Sequence, residues 1–279
     1  MRRLPRSAWH AATVASVRPE TSQSARIELD VDGWPGNAAG QHLDVRLTAP
    51  DGYTATRSYS IASSGPSSRV VLAVDRVPGG EVSPFLVDEL RAGDQVEVNG
   101  PLGRFFIWEA PGADVSDAPN APDAPDVSDA ANASDAPDAR DASRPVQLVG
   151  GGSGIVPLYA MAHAHAEAGD DTEFRLLYSV RTPEDTFFRA ELAQLAVNGP
   201  GRAGGIRIDL IYTRAAPTGH ERPPMRLTRD EVARLVVPAE RAPRVFVCGS
   251  TGFAELVASW LLDLGHDARS IRIERFGGT

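Results

Sequence analysis

The sequence predicts two folds in series, an N-terminal antiparallel β-barrel and a C-terminal doubly wound α/β unit built on a parallel sheet. Three observations carry that prediction. Residues 9–108 run as short alternating apolar and polar segments, broken by Gly, Pro and Asp, the pattern of antiparallel strands joined by tight turns. Residues 145–279 alternate apolar strand runs with longer helical runs, as crossover helices over a parallel sheet require. Between them, residues 110–144 collapse to a composition dominated by Ala, Asp, Pro, Ser and Asn, with no aromatic residue. The expected division is therefore 1–109, 110–144 and 145–279.

Each element follows in order. In the first unit 25–31, 42–47, 70–76 and 95–98 read as strands, and so does TRSYSIAS at 56–63. One helical piece, 84–90, sits among them. There Ser83 can cap the helix and Pro84 can occupy its first position. The middle segment carries imperfect repeats such as DAPDAPD. It has too little apolar surface to offset its ordering entropy and reads as a disordered linker. In the last unit VQLVGG (146–151), EFRLLYSV (173–180), IRIDLIYT (206–213), RVFVCG (244–249) and SIRIERF (270–276) read as strands. Helices are expected over 157–168, 186–195, 228–235 and 253–264.

Composition narrows the function classes. The chain has 279 residues, 42% of them hydrophobic and 23% charged, enough to bury a core without disulfides. The net charge is -9, but the middle segment holds eight Asp against two Arg, a net of -6, which leaves -3 for the rest. The acidity is thus mostly local. No basic stripe with interleaved aromatics suggests a nucleic-acid surface. No apolar run reaches the length of a membrane span. The single cysteine, Cys248, excludes an intramolecular disulfide and a four-thiolate iron–sulfur cluster within the chain. A cytoplasmic location is the default expectation.

Four motifs carry chemistry. LVGGGSGIVPLYAM, 148–161, places Gly151, Gly152, Ser153 and Gly154 where a strand gives way to a helix. Glycine there lets backbone approach a phosphate, and the helix start offers amide donors. In TRSYSIAS, Arg57, Ser58, Tyr59 and Ser60 supply the contacts a flavin needs. These are a guanidinium for phosphate, an aromatic face for a planar ring and a hydroxyl for a ring nitrogen. Arg57 and Tyr59 share one strand face. VPGGEVSPFL, 77–86, offers Gly80, Val82 and Ser83 as a second anion cradle. VFVCGSTGF, 245–253, ends another strand in small residues, with Cys248 and Gly249 at the carboxyl end of the expected sheet, where ligands bind. Taken singly, each also reads as an ordinary turn, cap or core thiol.

In this order, the motifs resemble the ferredoxin–NADP reductase superfamily in its bacterial oxygenase-reductase branch. The resemblance covers nearly the whole chain outside the acidic segment. It implies FAD and NAD(P)H as cofactors. Arg57 would hold the FAD pyrophosphate, Tyr59 would pack on the isoalloxazine and Ser60 would face flavin N5. Gly80, Val82 and Ser83 match the second flavin segment. GPLGRF, 100–105, matches the turn that closes the barrel. GGGSGIVP resembles the loop that binds the pyridine-nucleotide pyrophosphate, with Ser153 and Val156 standing where that loop usually has Thr. YSVRTPED with Phe187 and Phe188 resembles the ribose-side segment and includes Ser179 and Arg181. CGSTGF resembles the nicotinamide-side loop, and ERFGGT the C-terminal end, where Glu274 and Phe276 would approach the flavin.

The implied activity is hydride transfer from NAD(P)H to FAD in a cleft between the domains, then electron release to a separate protein such as an iron–sulfur or oxygenase component. Ser60 and Cys248 are the candidates beside the hydride path, orienting or polarising rather than attacking. Arg181, Arg189 and Arg214 suit a 2′-phosphate, which leans the reading toward NADPH while NADH stays open. Two other readings compete: a reductase of free flavin, and a non-catalytic interaction module on the same fold. A serine hydrolase is disfavoured, since no G-x-S-x-G occurs. A helical metal site at His163 and His165 is disfavoured because residues two apart do not share a helix face.

Overall fold

A computed structural model describes residues 9–110, 144–197 and 203–276. The described residues fall into two compact units, one reaching Trp108 and the other beginning at Glu109 and containing everything from residue 144 on. The expected linker, apart from its two end residues, lies outside the described residues.

The first unit is a six-stranded antiparallel sheet made of β1 (Trp9–Thr21), β2 (Ser24–Val31), β3 (His42–Thr48), β4 (Thr54–Ser60), β5 (Arg69–Asp75) and β6 (Gln95–Leu102). The strand order is β4-β3-β6-β1-β2-β5. The two outer strands meet just past the end of β4, where Ile61 bridges Leu72 and the Ala62 amide donates to Val71 O at 2.7 Å. That closure makes the expected barrel. Alternation sends Ala12, Val14, Ile27, Leu29, Leu43, Val45, Val96 and Val98 into one continuous core. Burying each large aliphatic side chain contributes about 1.5–3 kcal/mol.

The helical piece differs from the expectation. It spans Phe85–Glu89 and is wound as a π-turn, with the Leu90 amide donating to Phe85 O at 3.0 Å. Ser83 does not cap it. The Ser83 hydroxyl instead accepts from the Val77 amide at 3.1 Å, which pins the preceding loop. The helix start has no side-chain cap bond.

The second unit is a five-stranded parallel sheet of β7 (Val146–Gly151), β8 (Phe174–Val180), β9 (Ile206–Tyr212), β10 (Arg244–Ser250) and β11 (Ile271–Phe276), in the order β11-β10-β7-β8-β9. The chain runs outward from β7 to β9, then crosses back to β10 and β11. The switch point therefore lies between β7 and β10, and ligands bind outside the carboxyl ends of strands at such a point. Helices α1 (Ile155–Ala168) and α2 (Arg189–Val197) pack on each other, as do α3 (Arg229–Leu235) and α4 (Thr251–Asp263). No described helix is long and apolar enough to cross a membrane.

Three helix starts moved by two residues or more: α4 begins at Thr251 rather than 253, and α1 and α2 moved for local reasons. The α1 helix begins two residues before Pro157, which is tolerated because first-turn amides have no intrahelical partner. The α2 helix begins at Arg189 rather than 186. A 3-10 turn over Pro183–Asp185 and a left-handed Phe188 (φ 52°) hold the chain out of the helix until then.

Candidate functional site

Each unit carries a candidate site of its own. In the barrel, β4 pairs with β3 alone along its length among the described residues. Register sets Arg57 opposite Val45 and Tyr59 opposite Leu43, so both lie on the core face of the strand. Tyr59 packs partly buried against the core, and burial pushes its phenol up to about 12. Arg57 stays exposed. Its Nη1 donates to Thr56 O at 2.7 Å and its Nη2 to Glu81 Oε2 at 2.9 Å. Ser58 and Ser60 face the other way. Ser58 Oγ donates to Asp44 Oδ1 at 2.6 Å. Ser60 is 5% exposed, and its Oγ has no hydrogen-bond partner among the described residues. A buried hydroxyl without a partner carries a desolvation cost, which a ligand atom within hydrogen-bond reach would remove.

The Arg57–Glu81 contact brings the second flavin segment beside β4. Its loop turns tightly: Gly79 has φ +74°, the Gly80 amide donates to Val77 O at 3.0 Å, and a Cβ on Gly80 would lie 3.1 Å from that same oxygen. Val82 and Ser83 are buried. The Val82 side chain belongs to the core, so what this position can offer a ligand is backbone. Glu81, with Tyr53 donating to it at 2.9 Å, has no counterpart in the sequence reading. A lone Glu after two glycines carries no pattern that would mark it.

In the α/β unit, β7 ends in Gly150 and Gly151. A 3-10 turn over Gly152–Gly154 follows, then α1, whose start has no side-chain cap. Gly152 is left-handed at φ +57°. A Cβ on Gly154 would fall 2.4 Å from the Cys248 carbonyl oxygen, so backbone meets backbone across the switch point and only glycine fits. At Gly151 and Gly249 the obstacle is a side chain, since a Cβ on either would lie 2.7 Å from the Phe253 ring. Phe253, at the start of α4, thus forms a wall shared by both glycine loops. In the sequence Phe253 shows only as the end of a motif and the first residue of an expected helix, because Gly151 is far away along the chain and comes alongside only through the parallel pairing of β7 with β10.

Cys248 and Glu274 are register partners on β10 and β11, as are Ser250 and Phe276. The thiol is fully buried and sits 3.9 Å from Glu274 Oε2. Burial, reinforced by the Glu274 charge, raises its pKa well above the ordinary thiol value. Ser179, at the end of β8 beside Gly151, is also buried. Arg181 and Arg214 are exposed at neighbouring strand ends, where the Arg214 amide donates to Arg181 O at 2.9 Å. Arg189 opens α2 and is exposed. It lies close enough to Glu184 to help lower that carboxyl, behind hydrogen bonds from Glu184's own amide and Thr182. Arg222 fastens the loop after β9 by bonding Tyr212 O, Arg226 O and Glu231.

Each site fits the cofactor named by the family match over its unit. The oxidoreductase FAD-binding domain family matches residues 20–107 and the oxidoreductase NAD-binding domain family matches residues 148–259. A glycine betaine monooxygenase reductase subunit from Chromohalobacter salexigens is 27% identical over 243 residues, covering 86% of this chain and 56% of its own length. The chain spans about half the length of the first curated relatives it matches, 56% and 48% for two of them. Ferredoxin–NADP reductase B from Sorangium cellulosum is 30% identical over 274 residues, covering 95% of this chain and 96% of the relative. The cytochrome b5 reductase domain of Ulva prolifera nitrate reductase shares the fold, with a TM-score of 0.74 at 21% identity over 97% of this chain and 98% of that one. With an oxidoreductase FAD-binding domain and an oxidoreductase NAD-binding domain matched in order and a near full-length relative at 30% identity, the chain belongs to the ferredoxin–NADP reductase superfamily.

Proposed function

We propose that the protein takes hydride from NAD(P)H onto FAD and passes the electrons to a separate acceptor, such as an iron–sulfur protein or an oxygenase component. The observation that carries this reading is Ser60: a buried hydroxyl with no partner among the described residues, on the strand that also bears Arg57 and Tyr59. FAD, when bound, supplies a two-electron acceptor able to release its electrons singly.

The residues divide the remaining work. Arg57 pairs with the FAD pyrophosphate, a charge-assisted contact suited to a planar guanidinium. Tyr59 presents a ring fixed by core packing. Ser60 donates to or accepts from the flavin ring edge, and the backbone of Gly80, Val82 and Ser83 lines the phosphate. On the other unit, amides of Gly151–Gly154 and the start of α1 hold the nucleotide pyrophosphate. Ser179, Arg181, Arg189 and Arg214 serve its ribose side, and the arginines suit a 2′-phosphate. Cys248, Gly249, Glu274 and Phe276 shape the nicotinamide side. A thiol with a raised pKa stays protonated and neutral, which suits orientation and not nucleophilic attack.

The test is anaerobic mixing of the purified protein with NADH and with NADPH while flavin absorbance is followed. Bleaching by either nucleotide is expected, and the faster one names the donor. A colourless protein that cannot retain added FAD sinks the reading.

A further inference from the structure

The flavin-side loop carries one carboxylate to which the function above gives no role. Glu81 stands between Gly80 and Val82, inside the segment whose backbone would line the FAD phosphates. It is held by two donors at once. Arg57 Nη2 reaches Glu81 Oε2 at 2.9 Å, and the Tyr53 hydroxyl reaches Glu81 Oε1 at 2.9 Å. The ion pair is open to water, with side-chain exposures of 55% and 48%, so it is weak and easily exchanged. Tyr53 is 56% exposed and held out from the barrel. Its hydroxyl is kept protonated, because the bond to Glu81 raises its pKa.

A diphosphate arriving at Arg57 meets a guanidinium whose Nη2 already faces a carboxylate. The two anions want the same donor, and they repel one another well within a screening length. Tyr53 offers a way out, since Glu81 can give up Arg57 and still keep one hydrogen bond.

We infer that Glu81 is a built-in competitor of the cofactor diphosphate for Arg57, with Tyr53 retaining the displaced carboxylate, so that FAD binds by exchange and is held less tightly than Arg57 alone would hold it. This rests on the assignment of Arg57 to the FAD pyrophosphate.

The test is FAD titration of the FAD-stripped full chain, read by quenching of flavin fluorescence at low and high salt. Glu81→Gln removes the charge and replaces one of the two acceptor oxygens, which now serve Tyr53 and Arg57, with an amide donor. It should tighten FAD about three-fold at low salt, and the gain should shrink as salt screens the repulsion. Tyr53→Phe leaves Glu81 with Arg57 alone. It should weaken FAD about two-fold, and should have no effect once Glu81 is Gln. Arg57→Ala should weaken FAD about ten-fold or more and remove most of the Glu81→Gln gain. If Glu81→Gln leaves affinity unchanged or weakens it while Arg57→Ala weakens it, the carboxylate supports the arginine and the inference is overturned. If Arg57→Ala leaves FAD affinity intact, the underlying assignment of Arg57 has failed, and the inference falls with it.

Discussion

The proposed phosphate sites of the barrel unit and the α/β unit are built in opposite ways. In the α/β unit the cradle is backbone, and its glycines are demanded by the protein's own packing: Gly154 by the Cys248 carbonyl, Gly151 and Gly249 by Phe253. In the barrel the main proposed contact is a half-exposed side chain, Arg57, already engaged by Glu81. Binding and folding are therefore one problem in the α/β unit and two in the barrel. A change at the nucleotide cradle should damage both together, and a change at the flavin arginine should damage binding alone.

The largest effect is expected at Gly154. A Cβ 2.4 Å from a backbone oxygen cannot be absorbed by a rotamer change, so Gly154→Ala should cost about 3 kcal/mol of stability and lose NAD(P)H binding in parallel. Denaturant unfolding beside nucleotide titration reads both, and an unchanged unfolding curve would break the contrast between the units. Next comes Arg57→Ala, which should weaken FAD roughly ten- to a hundred-fold while moving the unfolding free energy of the FAD-free protein by no more than about 0.5 kcal/mol.

A third change sharpens the comparison by removing a side-chain device from the α/β unit. Hydrogen bonding to Arg222, helped by Thr228 and opposed by burial, holds the Glu231 carboxyl at about 2, below its ordinary 4.5. A depressed folded-state value means the stabilisation is fully present above about pH 4.5 and is lost as pH falls toward 2. Glu231→Gln should therefore cost on the order of 2 kcal/mol at neutral pH and flatten the acid limb of the stability profile. Urea unfolding at several pH values checks this, and parallel profiles for the two proteins would count against it. The smallest effect is at Ser60. Removing an unpartnered buried hydroxyl should leave the FAD-free protein unchanged or more stable by up to about 1 kcal/mol, yet weaken FAD about five-fold. A clear loss of stability without FAD would mean the hydroxyl serves the fold instead.

Much of the fold was legible in the sequence. Parallel strands buried on both faces read as continuous apolar runs, and VQLVGG became β7 residue for residue. Turn and helix boundaries were less legible. Ser83 followed by Pro84 has the composition of a cap, but the hydroxyl found Val77 first. The delay of α2 to Arg189 depends on a left-handed Phe188 buried against Tyr159, with ring centroids 3.9 Å apart, a tertiary contact that overrides local propensity. The candidate site divides the same way. Arg57 and Tyr59 share a face because strand geometry requires it. Phe253 and Glu81 could not be singled out, since their importance lies in what the fold sets beside them.

The buried thiol gives the molecule a built-in clock. Cys248 is the sole cysteine of the chain, fully enclosed and shifted away from its reactive thiolate. It pairs with β11, the strand at the sheet's margin. Alkylating reagents can reach it only when its surroundings open locally, so the labelling rate in native buffer counts such openings. Nucleotide binding at the neighbouring loops should slow the count, whether or not any electron is transferred.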